Sequence, residues 1–144
     1  MAPKDRDRAV ALSLQLAQAH QKLRSQLASL KAGRDLTVHC VAFCAAVTAH
    51  HEGEDAGMFA ELLRLRPDLA GTVDKLVEDH GLIAWILSRI AAATSDDAVS
   101  GELDGLTAIL ESHFAYEERA ISAALDAGTP DTGWSAKVFG FHDG

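Results

Sequence analysis

The stretch DDAVSGELDGLTAILESHFAYEERAISAALDAG, residues 96–128, decides the fold. It holds no proline, and Leu103, Leu106, Leu110, Ala120 and Ala124 recur in steps of three and four that line one face of a helix. His113 and Glu117 fall on the same stripe. Ser95 supplies a capping hydroxyl, and Asp96 and Asp97 put acids in the first turn, where the helix dipole favours them. Gly128 followed by Pro130 closes the segment, so the pattern predicts a helix over 97–127.

Three further segments carry the same spacing. Their seams run Leu12, Leu16, His20, Leu23, Leu27, Leu30; then Leu36, Cys40, Phe43, Val47, His50, Glu54; then Val73, Leu76, His80, Ile83, Leu87, Ile90. The breaks between them are short. Gly33 is placed for a left-handed helix end and Asp35 for the next N-cap, while Arg66-Pro67-Asp68 with Gly71 and a capping Thr72 makes the second turn. Helices over 5–32, 36–65, 70–93 and 97–127, joined by such loops, must be antiparallel neighbours. The expected fold is all-α, an antiparallel up-down-up-down four-helix bundle over residues 1–128. A short C-terminal tail, 129–144, carries Trp134, Val138, Phe139 and Phe141, enough apolar area to dock it on the bundle or to bind a partner.

Composition narrows the function. The 144 residues carry 13 Lys plus Arg against 21 Asp plus Glu, a formal charge of -8, which argues against nucleic-acid and anionic-membrane partners. The longest run without a charged residue, Leu36 to His51, is too short to span a bilayer. No apolar segment follows the N-terminal charges, so a secretory signal is not expected and the location reads as cytoplasmic. Cys40 and Cys44 share a helix face and read as small thiols without a disulfide.

Six polar groups interrupt the apolar seams: His20, His50, Glu54, His80, His113 and Glu117. Each falls near the middle of its helix, so the four helices can bring them into one layer. An unpartnered polar group in such a core costs roughly 2–7 kcal/mol, and a charge costs more. The pairs His50/Glu54 and His113/Glu117 have the i, i+4 spacing that stacks two side chains on one face. Four imidazoles and two carboxylates exceed a tetrahedral zinc site and suit two octahedral metals bridged by carboxylates, which favours iron.

The order H, HxxxE, H, HxxxE on successive helices resembles the hemerythrin-like, or HHE cation-binding, domain. The texts His50-His51-Glu52-Gly53-Glu54-Asp55 with Met58-Phe59, Glu78-Asp79-His80, and His113-Phe114-Ala115-Tyr116-Glu117-Glu118 are similar to that family's helix signatures, over residues 9 to 127. The resemblance implies His20, His50, His80 and His113 as terminal ligands of two iron ions, oxo- or hydroxo-bridged when oxidised, with Glu54 and Glu117 as bridging carboxylates. One departure stands out. Oxygen-carrying members have a second histidine one turn earlier on the third helix, where this chain has Leu76.

Several neighbours stay open from sequence. His51 shares a row with Val47, Glu54 and Met58, so it either supplies a further nitrogen or faces away. Tyr116 is a further ligand, an outer hydrogen-bond donor or a half-buried phenol. Glu52, Asp55, Glu78, Asp79 and Glu118 are candidates to orient an imidazole N–H or simply a solvated face. His39 and His142 lie off the seams. Gly53 and Gly57 weaken the second helix and suggest close packing or ligand access beside Glu54.

Expected partners are small diatomic or anionic ligands: oxygen, peroxide, superoxide, azide and nitric oxide. An apolar surround of Phe43, Phe114 and Trp85 would exclude bulkier molecules. The function expected is a non-haem di-iron protein that binds or turns over such molecules. The alternative is a module that senses iron, oxygen or redox state, or simply binds metal, without turnover.

Overall fold

A computed structural model of the chain describes residues 11–33 and 35–140, leaving aside the side chains of Thr37 and Val38. Four long helical rods pack together, with a short C-terminal helix and no strand among the described residues. Helix α1 spans Leu12–Ala32 and α2 Leu36–Gly53. A π-helical turn, Glu54–Met58, continues α2 directly into α3, Phe59–Leu65. Then follow α4, Ala70–Ala92, α5, Asp96–Asp126, and α6, Ser135–Phe139. The segment 5–10 expected in the first helix, with Phe141 and His142, lies outside the described residues.

Ser95 caps α5 as its sequence position requires: it is extended, and its hydroxyl accepts from the Ala98 N–H at 3.2 Å. Gly128, at φ 111°, turns the chain out of α5 in a conformation that favours glycine. Two other turns differ from expectation. Gly33 is extended, its N–H closing α1 on the Leu30 carbonyl, and the left-handed residue is Asp35, at φ 56° with no side-chain cap bond. Aspartate tolerates that region better than most residues, so the reversal moves two positions along. Gly71 and Thr72 do not cap α4 either. A single 3-10 turn, Pro67–Leu69, starts the rod earlier and leaves both inside it.

Around the bundle, α1 packs on α2 and α5, and α4 on α2 and α5, which closes a square. The core has two apolar clusters. One gathers Leu23, Leu27, Phe43, Val47, Ile83, Leu106, Leu110 and Phe114. The other gathers Leu12, Leu16, Met58, Phe59, Leu62, Leu76, Ile121, Trp134 and Val138. On every rod the buried polar residues fall between the two clusters: His20 follows Leu16 and precedes Leu23, and His80 follows Leu76 and precedes Ile83. A polar layer therefore crosses the bundle at mid-height. Within α5 the seam passes through Ile121, with Ala120 only half-buried. Trp85 is not part of the surround: it is 57% exposed, with the Arg89 guanidinium over its ring.

The C-terminal helix explains the two glycines beside Glu54. A Cβ on Gly53 would sit 2.8 Å from the Lys137 Cβ, and one on Gly57 2.4 Å from the Trp134 Cβ. Helix α6 lies across these bare positions, and only glycine lets it approach so closely. Below Glu54, Met58, Phe59 and Leu62 are buried.

Candidate metal centre

His20, His50, His51, Glu54, His80, His113 and Glu117 are all buried in the polar layer. Their donor atoms form two groups. In one, His20, His50, Glu54 and Glu117 each offer an atom within 4.8 Å of the others; in the second, His51, Glu54, His80 and His113 do the same. Glu54 belongs to both. Its Oε2 lies 3.4 Å from the His50 Nε2 and its Oε1 3.1 Å from the His80 Nε2, so its two oxygens face opposite groups. His20 presents its Nε2 to Glu117 Oε1 at 3.0 Å.

The far nitrogens of the rings fix which tautomer faces inward. His20 Nδ1 meets Glu118 Oε2 at 2.7 Å, His80 Nδ1 meets Asp55 Oδ1 at 2.8 Å, and His113 Nδ1 meets Asp79 Oδ2 at 3.1 Å. His50 Nδ1 meets the Val138 carbonyl at 2.6 Å. Each acceptor requires a proton on Nδ1, so in the neutral ring Nε2 carries a lone pair. Those of His20, His50 and His80 point at carboxylate oxygens. The Nε2 atoms of His20, His51, His80 and His113 and all four oxygens of Glu54 and Glu117 are buried without a hydrogen-bond partner. Acceptors facing acceptors at 3.0–3.4 Å repel unless a cation lies among them, and that fits a metal pair.

The electrostatics agree. Burial pushes the His50 imidazole down to about 3, burial and the neighbouring histidines hold His51 well below its ordinary value, and burial lowers His113. These rings are neutral ligands at neutral pH. Burial works against the charged form of His20 too, but the carboxylates of Glu117 and Glu118 outweigh it and raise that ring. Burial and the adjacent Glu117 push Glu54 well above the carboxylate range, so without a cation the two carboxylates must share a proton.

Of the outlying candidates, Asp55, Asp79 and Glu118 orient imidazoles, while Glu78 is exposed and Glu52 pairs with Lys137 at 3.2 Å. Tyr116 is half-buried against the lower apolar cluster, its ring between the cations of Lys75 and Arg119, each 5.8 Å away. His39 is exposed and distant from the layer. Phe114 stacks on His20 at 4.0 Å and Phe59 on His80 at 5.8 Å, giving the layer apolar walls. His51 stacks on His80 at 3.8 Å. The Val138 carbonyl had no sequence signal, because backbone carbonyls are the same at every residue.

The fold and this layer define a helical bundle that holds cations between its rods. The chain belongs to the hemerythrin HHE cation-binding domain family, whose model matches residues 12–125. No curated relative and no solved structure matches it. No helix among the described residues is long and apolar enough to cross a membrane.

Proposed function

We propose that this chain is a non-haem di-iron protein that binds or turns over small oxidants and diatomics, namely dioxygen, peroxide or nitric oxide. The carrying observation is the sharing of Glu54 between two buried groups of bare lone pairs. In this reading His20, His50 and Glu117 would hold one ion and His51, His80 and His113 the other, with Glu54, which belongs to both groups, shared between them. His51 supplies the nitrogen that Leu76 cannot, since Leu76 lies in the lower apolar cluster. Nitrogen with few carboxylates suits iron and leaves residual positive charge on the oxidised pair. Four protein donors per ion fall short of the six of an octahedral ion, which leaves room for a small ligand. Bound there, two iron ions supply one-electron and two-electron redox chemistry that no side chain offers.

The protein's own part is to hold the rings and keep water out. Asp55, Asp79, Glu118 and the Val138 carbonyl lock four imidazoles in one tautomer, and the apolar clusters above and below exclude bulk solvent. The iron-loaded chain, mixed with peroxide, is expected to evolve gas at a rate proportional to its iron content and to change its visible absorption on adding azide. Iron-loaded protein with no spectral response to azide, peroxide or nitric oxide would contradict the reading.

A second reading, metal sensing without turnover, is favoured by the hydrogen bond between His50 and the C-terminal helix, which ties that helix to the state of the layer. A large rise in melting temperature on iron loading, with no peroxide consumption, would select it.

A further inference from the structure

We propose that the crevice between α2 and α4 is the entrance through which small uncharged molecules reach the metal pair, and that Gly81 sets its width. This rests on the metal-pair reading above. The donors are not equally sealed: His20, His50, Glu54 and Glu117 are 0% exposed and His113 2%, whereas His51 is 6% and His80 5% exposed. A cavity of about 320 Å³ opens from the surface onto those two rings. The grooves between α1 and α2 and between α1 and α5 touch none of the seven donors. Exposure and cavity therefore point to the same side, and an arriving molecule meets the half held by His51, His80 and His113.

The chemistry of the walls selects what passes. Val77, Ala84 and Leu87 make them apolar. The charged groups of the lining are both acidic: Asp55, held by the His80 N–H, and Glu52, paired with Lys137. An apolar cleft with acid at its mouth admits nitric oxide, dioxygen or undissociated hydrogen peroxide more readily than anions such as azide or superoxide. Gly81 lies on the exposed side of α4 within this lining, and a Cβ there would meet nothing within 4 Å. Its small size keeps the cleft open; a longer side chain has space to lie in it.

The test uses the full chain loaded with ferrous iron. Nitric oxide association is followed by stopped-flow absorbance in Gly81→Leu, in Ala84→Phe, which fills the cleft from the next turn, and in Gly101→Leu. The last is a control, because a Cβ at Gly101 also meets nothing within 4 Å but lies on α5 away from the cleft. Association at least tenfold slower in either cleft variant, with iron content and melting temperature kept, is expected. Crystals pressurised with xenon should show xenon between α2 and α4 in the parent chain and none in the blocked variant, a readout independent of any reaction. Rates in both cleft variants within twofold of the control would overturn the entrance while leaving the metal pair standing. A parent chain that holds no iron would overturn both.

Discussion

His50 and Val138 are 88 residues apart in the chain, yet the ring Nδ1 of the first donates to the backbone carbonyl of the second at 2.6 Å, in a buried contact. The family match ends at residue 125, so this acceptor comes from beyond the matched segment. The short helix α6 is thereby part of the metal layer's support. Gly53 and Gly57 make its approach possible, and Trp134 and Val138 anchor it in the lower apolar cluster.

That arrangement gives Gly57→Ala a sign that can be checked. Inside a free helix the change would stabilise by about 1 kcal/mol. Here the new Cβ would lie 2.4 Å from the Trp134 Cβ, which is not the flexible end of a side chain, and overpacking costs about 1–3 kcal/mol. The melting temperature should fall and Trp134 fluorescence shift to the red. Gly105→Ala, where a Cβ meets nothing, should raise the melting temperature instead.

The outer carboxylates should act on one ion each. Asp79→Asn and Glu118→Gln each replace the carboxylate that accepts an imidazole N–H, of His113 and of His20, by a weaker, uncharged amide oxygen. Losses of this kind typically cost 10–100-fold in metal affinity. Titration against a chelator should show Asp79→Asn loosening one ion of the pair and Glu118→Gln the other, with the effects of the double variant adding. Unchanged affinity in both would separate these carboxylates from the site.

Tyr116→Phe should leave iron content and visible spectrum unchanged. The ring lies between the cations of Lys75 and Arg119 against the lower cluster. Loss of an absorption band in this variant would show the phenol reaching the metal.

Cys44 should be slow to react. Burial, with Cys40 beside it, pushes its thiol up to about 11 from 9.0, so the neutral thiol dominates and the nucleophilic thiolate is scarce below that pH. Alkylation by iodoacetamide at pH 8 should be roughly a hundredfold slower than for a free thiol of ordinary pKa, and should accelerate as the pH rises through 10. Rapid labelling at Cys44 at neutral pH would contradict this.

The four rods and the polar layer are readable in the sequence because hydrophobic spacing reports which face of a helix is inward. His20, His80 and His113 could be placed on their seams without knowing any contact. The second rod was harder. The steps from Glu54 to Met58 and Leu62 are those of an ordinary helix, so nothing in the hydrophobic spacing marks the π turn at Glu54–Met58. His51, whose phase alone allowed either face, is buried and stacks on His80 at 3.8 Å, a contact that only the neighbouring rod could reveal. Asp55, Asp79 and Glu118 could be nominated but not chosen over Glu52 and Glu78, because a carboxylate flanking the seam reaches an imidazole only if the neighbouring rod comes close. Capping chemistry misled at Asp35 and Thr72, where short turns found other ways to reverse.

Iron stoichiometry, measured by elemental analysis and native mass spectrometry on the reconstituted chain, tests the centre most directly. Two ions per chain are expected, falling to one in His51→Ala and to none in Glu54→Ala, because Glu54 belongs to both donor groups. A parent chain that takes up a single ion, or a folded Glu54→Ala that keeps two, would contradict a metal pair bridged by that carboxylate.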